Sequence, residues 1–538
     1  MSSDVKSVGD SKCLEVAVLQ RPNSSAEHGL ESKFVRLAED SARAAEAEHR
    51  LGLVTSLKTY RKAVAWSILL SLTVVMEGFD TYLLGSLFAY EPFRQAFGAP
   101  QPDNSYQLTA AWQTGLSNAP RVGQILGLLL NGVVAEKIGY RKTMVGSLAL
   151  VMAFVFVVFF AQSVEQLLVG EFLLGIPWGV FQTLPVSYAA EVCPTHLRAY
   201  LTSYVNLCWA MGKLISAGVM RGMVPRTDQW GYRIPFALQW VWPIPIITGV
   251  LFAPESPWWL VRKERVTDAK KALGRLTGNK SASEVDLDQT VAMMIHTNEA
   301  EKEIVAGTRY QDCFRGVNRL RTETVCGTWV IQTLCGFSLI PYSTYFYQQA
   351  GLDASKAFSL SIGNSGIAIA GFLTSWFLMQ WFGRRTLYLA GLVCLITLQL
   401  IIGFLSLAGK ENSAALWAIG SMLLIVSFSY NCTIGPVCYP LVGELPPTRL
   451  KTKTIVLARN AYLIVDIISN ILIPRMLNPT AWNWGAKSGF YWAGSSFVCF
   501  LWAFFRIPET KDRTYQELDM LFEQQVPARK FRSTTVRS

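Results

Sequence analysis

Residues 132–161 read GVVAEKIGYRKTMVGSLALVMAFVFVVFFA. A turn carrying Glu136, Lys137, Arg141 and Lys142 runs into the stretch 144–161, which has no charged residue. A helix crosses a bilayer on about 20 mostly apolar residues. Lys and Arg gather on the cytoplasmic side of such helices. The stretch therefore reads as a cytosolic turn followed by a membrane span.

Working outward, eleven further apolar runs follow the same rule, at 64–88, 112–134, 167–189, 200–220, 234–252, 324–347, 357–377, 387–407, 414–437, 455–473 and 489–505. Of the 538 residues, 51% are hydrophobic and only 16% charged, against about 25% charged in soluble domains. The mean hydropathy is +0.28. The net charge of +11 sits beside the ends of apolar runs, where lipid headgroups account for it, so no nucleic-acid partner is expected. The ten cysteines form no CxxC pair and no zinc spacing, and no disulfide, metal or cofactor is expected.

The basic residues also set the orientation. Lys58, Arg61 and Lys62 precede the first run, Arg384 and Arg385 follow the eighth, and Lys451 and Lys453 follow the tenth. The alternate loops are poor in Lys and Arg, so both termini are expected in the cytosol. Residues 1–62 lack an early apolar run and read as a cytosolic, largely disordered tail with a helical pattern near 39–50. The stretch 254–322 is too polar to cross and is expected to form short amphipathic helices linking two six-helix bundles, 63–253 and 323–507. A cytosolic tail, 508–538, closes the chain.

Duplication supports that division. Gly139-Tyr140-Arg141-Lys142 is echoed six spans later by Gly383-Arg384-Arg385, Pro254-Glu255-Ser256 by Pro508-Glu509-Thr510, and Glu191, Pro194 and Arg198 by Glu444, Pro446 and Lys451. Repeated units are the mark of secondary transporters. The expected fold is an all-α integral membrane protein of twelve transmembrane helices in two bundles. The recurring acid–base clusters, Glu136, Arg141, Lys142, Glu191, Arg198, Glu255, Arg384, Arg385, Glu444, Lys451 and Glu509, suit ion pairs that hold helix ends together in one state and release them in another. Plain topology also accounts for the basic residues.

These residues resemble the sugar-porter family of the major facilitator superfamily. GVVAEKIGYRK at 132–142 is similar to its GxxxDRxGRR loop. Pro185, Tyr188, Glu191, Pro194 and Arg198 match its Pro, Tyr, Glu, Pro and Arg pattern, PESPWWL at 254–260 its PESPRWL, and PETKDR at 508–513 its PETKGR. The Trp258-Trp259 pair, LLGIPWGVFQT at 173–183, YSTYF at 342–346 and LNPTAWNW at 477–484 resemble the fungal alpha-glucoside permeases. The resemblance implies proton symport of a disaccharide by alternating access across a plasma membrane, by a monomer with sugar, protons and lipid as its partners.

A charge at the bilayer centre costs at least about 2.5 kcal/mol, so such residues face a cavity or a partner. Glu77 and Asp80, three apart, share a face of the first helix. Asp80 lies in GFDT, which resembles the GYDT whose Asp accepts the proton in the family. The family's partner Arg is Glu171 here. If Glu77, Asp80 and Glu171 converge, they cannot all ionise and at least one would load a proton. Arg459, with Asp466 two turns away, is a candidate counter-charge or a structural pair.

A sugar site wants paired polar groups with aromatic faces. Gln332, Ser338 and Tyr342 align with the family's seventh-span pocket run, Asn206 takes the place of a family Gln, and Gln182 is a further candidate. Ile434 stands where the family has a pocket Trp. Lys213, Arg121 and Asp466 depart from the pattern. Lys213 either favours an acidic or differently polar solute, or pairs with Asp466 or Glu171. The alternatives to sugar import are therefore another polar metabolite on the same scaffold, or a sugar sensor. No catalytic constellation stands out, and an enzyme is not expected.

Overall fold

The computed structural model describes residues 53–534 apart from 102–104, 194, 278–286, 306–308, 350, 409–411, 448–449, 512 and 514. The expected N-terminal tail falls largely outside the described residues, as do Pro194 and the side chain of Arg198.

Among the described residues, twelve helical segments run 20 residues or more, about the length that crosses a bilayer. We number them α1 (Arg61–Leu87), α2 (Ala110–Ile138), α3 (Tyr140–Phe159), α4 (Val164–Val192), α5 (Thr195–Met223), α6 (Trp230–Phe252), α7 (Gly316–Gln348), α8 (Ala354–Trp381), α9 (Arg384–Ala408), α10 (Ala414–Glu444), α11 (Lys451–Leu477) and α12 (Gly485–Arg506). Ten of them are also apolar enough by composition. The remaining two are α2 and α5, of 29 residues each. They carry Gln113, Asn118, Arg121, Gln124 and Asn131, or Asn206 and Lys213, on faces turned inward. Polar residues that line an interior lower hydropathy without shortening a span.

Helix pairing repeats with a shift of six. α1 packs on α5, α2 on α4 and α3 on α6, as α7 packs on α11, α8 on α10 and α9 on α12. The two halves meet through α2 with α11 and α5 with α8. Glycines set how closely helices approach. A Cβ at Gly123 would lie 2.3 Å from the carbonyl oxygen of Phe172, and one at Gly175 would lie 2.3 Å from that of Pro120. Small residues let membrane helices touch backbone to backbone, and here they press α2 onto α4.

Four spans are interrupted near mid-height among the described residues, α1 at Leu72 being the first. α6 passes through a 3-10 turn at Leu238–Trp240, and α10 breaks at Thr433. α7 breaks at Gly336, whose φ of 86° is left-handed. Backbone released from helical geometry at membrane depth is tolerated where it lines protein or a cavity. The outward faces carry exposed apolar side chains such as Phe252 at 67% and Trp381 at 72%, a surface suited to lipid. Between α6 and α7 run helices Pro257–Arg262, Val266–Leu276 and Leu287–Val305.

Candidate transport site

At mid-height on α1, Asp80 and Glu77 point into the first half, each 2% exposed. The side-chain amide of Gln239, on the 3-10 turn of α6, donates to Asp80 Oδ1 at 2.7 Å. Glu171 of α4 is fully buried and brings its carboxyl against that of Asp80. Neither Glu171 oxygen meets a donor among the described residues. Two carboxyls in contact without a donor lack a hydrogen bond until one of them carries a proton. A proton placed there completes the pair.

Glu77 stands one turn away. Its Oε1 accepts from Gln124 at 3.1 Å and from Gln182. The carbonyl end of Gln182 accepts in turn from Arg459 of α11. Arg459 lies over the rings of Trp329 and Tyr462, at 4.8 and 4.6 Å. One amide thus joins a carboxylate of the first half to a guanidinium of the second. Of the three carboxyls, Asp80 touches Glu171, while Glu77 faces the two glutamines.

Of the two readings left open for Arg459, counter-charge or structural pair, the pair with Asp466 is not formed. Asp466 is taken by Arg121, whose Nε lies 3.1 Å from Oδ2, and Ser338 reaches its other oxygen at 3.4 Å. The physical reason is the packing of α2 on α11, which places Arg121 opposite Asp466 across the two halves. For the same reason Lys213 finds neither Asp466 nor Glu171. Its Nζ sits 3.6 Å over the ring of Trp209 and 4.8 Å over that of Phe337, and it is 5% exposed. A ring face is worth about 0.5–2 kcal/mol to a cation, less than the several kcal/mol per ion that burial costs.

Tyr342 is drawn into contacts between the halves, with its hydroxyl on Ser117 Oγ and on Asn470 Oδ1 at 3.3 Å. Gln332 accepts from Tyr430 at 2.8 Å, and Phe337 stacks on Tyr430 with centroids 3.7 Å apart. Asn206 reaches Tyr439.

The end of the bundle opposite the basic turns is joined. Tyr82 meets Ser343 at 3.0 Å, Asn478 donates to the carbonyl of Leu108 at 2.8 Å, and Tyr90 sets its ring against Phe358. Towards the basic turns the same faces are accessible. Tyr439, packed on Trp329, is 38% exposed, and Gln182, Asn206, Arg459 and Tyr462 are half-buried. The space between the halves therefore opens at the basic end.

At that end the motif acids grip helix starts. Glu255 accepts from the amides of Tyr140 and Arg141, at 3.0 and 3.3 Å. Glu509 accepts from the amide of Arg384 at 2.7 Å. Carboxylates stabilise helix N-termini, and Gly139 and Gly383 make room for them. A Cβ would lie 2.5 Å from Glu255 Oε2 and 2.0 Å from Glu509 Oε2. Burial pushes the Glu255 carboxyl up, against the pull of the amides it accepts. Glu191 binds Arg262 at 2.8 Å, Tyr140 at 2.9 Å and Ser256. Glu136 pairs with Arg262 and Lys263 rather than with its own turn. Arg384 binds Glu444 at 3.2 Å, and Arg385 holds the carbonyl of Phe504. Lys451, half-buried at the start of α11, also has a partner. Lys142 is exposed beside the cleft that Arg141, Lys271 and Arg275 line. The pairs named here stay within one half and its adjoining linker or tail.

The Sugar (and other) transporter family profile matches residues 66–522. The chain belongs to this transporter family. It is 42% identical to a maltose permease of Saccharomyces cerevisiae over 503 residues, 93% of this chain and 82% of the permease. It is 43% identical to a general alpha-glucoside permease of the same yeast over 504 residues, with the same shares covered. Among solved structures, the proton:xylose symporter XylE bound to 6-bromo-6-deoxy-D-glucose superposes with a TM-score of 0.67 at 20% identity, over 86% of this chain and 99% of that one. The inward-open conformation of the xylose transporter XylE from E. coli gives 0.69, likewise at 20% identity, over 85% and 99%. Members of this family are transporters, not enzymes, and the major facilitator fold expected for this transporter is the one seen. Sequence reasoning missed Gln239, Gln124, Arg262, Ser256 and Tyr430 as partners of the site residues. An intramembrane Gln follows the same rule as an intramembrane charge, so Gln239 and Gln124 were within its reach.

Proposed function

We propose that this transporter imports an alpha-glucoside or related sugar together with protons, with the basic end facing the cytosol. The observation that carries the reading is the Asp80–Glu171 carboxyl contact beside the Glu77–Gln182–Arg459 bridge between the halves. Asp80 or Glu171 takes up a proton, which supplies the hydrogen bond the pair lacks. Glu77 then responds through Gln182, and Arg459 is held or released. A proton bound on one half thereby biases contacts with the other, as alternating access requires.

The sugar lies in the space between Gln182, Asn206, Gln332, Trp329 and Tyr439. Ser338 and Tyr342 report its arrival from the joined end above it. The acids and bases of the basic end act as the inner gate, open in this conformation. The folded part divides at 63–253 and 323–507, and both termini lie in the cytosol of a plasma-membrane protein that works as a monomer. The test is uptake into proteoliposomes holding the purified full-length chain, with labelled maltose, other alpha-glucosides and xylose. Accumulation of an alpha-glucoside that follows an imposed pH gradient supports the reading. Uptake indifferent to the gradient removes the coupling, and no uptake of any sugar removes the substrate class.

A further inference from the structure

Three charges meet at the roof of the space between the halves. Arg121 and Asp466 neutralise each other at 3.1 Å. Lys213 remains. It is 5% exposed, its ammonium rests on Trp209 and Phe337, and among the described residues the charge that acts on it is the repulsive one of Arg121. The other carboxyls of the region are engaged: Asp80 with Gln239 and Glu171, Glu77 with Gln124 and Gln182. Among the described residues Lys213 therefore has no carboxylate partner, and it lies against half-buried aromatic faces.

We infer that the transported glycoside carries a single carboxylate, which pairs with Lys213. The inference rests on the proposed function and narrows its substrate class. A buried ammonium is stable when an anion with good geometry meets it, and charge-assisted hydrogen bonds are the stronger kind. One ammonium calls for one carboxylate. The surroundings suit a sugar acid rather than a small anion. Phe337 stacks on Tyr430, and Tyr430 orients Gln332, so an aromatic face and an amide lie beside the cation. The hydroxyls of a pyranose suit the Gln332 amide while its carboxylate meets Lys213.

The experiment compares maltose with the same disaccharide oxidised to the uronic acid at C6 of its non-reducing glucose. Uptake into proteoliposomes is measured for the natural protein, Lys213→Gln and Lys213→Arg. Ligand-induced shifts in unfolding temperature of the purified proteins give a readout independent of transport. The acid is expected to half-saturate the natural protein at about tenfold lower concentration than maltose. Lys213→Gln should erase that preference and improve maltose uptake, while Lys213→Arg should keep the preference. Equal or better handling of maltose by the natural protein overturns the inference and leaves the proposed function standing. So does an acid preference that survives Lys213→Gln. If neither sugar is carried or bound, both readings fall. Should Lys213→Gln elute aggregated, the natural protein and Lys213→Arg still decide.

Discussion

Arg121 and Asp466 are each about nine-tenths buried, with side chains 12% and 10% exposed. Breaking such a pair from one side strands a charge and costs about 3–5 kcal/mol, whereas removing both charges is often neutral. Arg121→Gln or Asp466→Asn alone should therefore lower the yield of monodisperse protein and its unfolding temperature, and the double variant should restore both. Single variants that unfold like the natural protein would show that the pair is solvated. Asp80→Asn keeps the shape and much of the hydrogen bonding but cannot release a proton. It is expected to abolish accumulation against a gradient while sparing counterflow exchange, which moves no net proton. Accumulation at the natural level would take Asp80 out of coupling.

At the level of the helix, the sequence echoes become matched caps. Gly139 precedes α3 and Gly383 precedes α9, and each admits a glutamate from the end of its own half. Gly383→Ala drives a methyl group to 2.0 Å from Glu509 Oε2, so the cap must open. The expected loss is about 0.5–2 kcal/mol, the range for removed helix caps. Gly139→Ala should cost more, because its φ of 95° with ψ of 164° is a backbone region almost confined to glycine, with strain of about 1–3 kcal/mol for other residues. Gly363→Ala on α8 meets nothing within 4 Å and serves as the control. Thermal unfolding of the three variants checks the order. Equal midpoints would remove the caps from the stability of the fold.

For the whole molecule, the joined and open ends make a prediction about access. A thiol at Asn206, placed in a cysteine-depleted background, should react with a membrane-impermeant reagent applied from the side of the basic turns. Transported sugar should protect it, and labelling from the opposite side alone would reverse the conformation assigned here. Tags at both termini and in the stretch 261–321 should be reached only from the cytosolic side. Access to that stretch from outside intact cells would overturn the orientation.

The twelve helical segments and their duplication were legible in the chain because hydrocarbon imposes its demand locally. Each span must satisfy its own backbone and present about 20 apolar residues, and repeated turns such as Gly139-Tyr140-Arg141 and Gly383-Arg384-Arg385 survive as text. The carboxyls of α1 and α4 were legible too, since a charge inside an apolar run stands out wherever it points. Their partners were not. Whether Asp466 meets Arg459, Lys213 or Arg121 depends on which faces of α2, α5 and α11 turn towards one another. That rotation is set by glycine contacts and side-chain packing between helices hundreds of residues apart, and no spacing within one helix encodes it. Only the packed bundle decided that Arg121 takes Asp466, that Glu171 lies on Asp80, and that Lys213 is left on two aromatic rings.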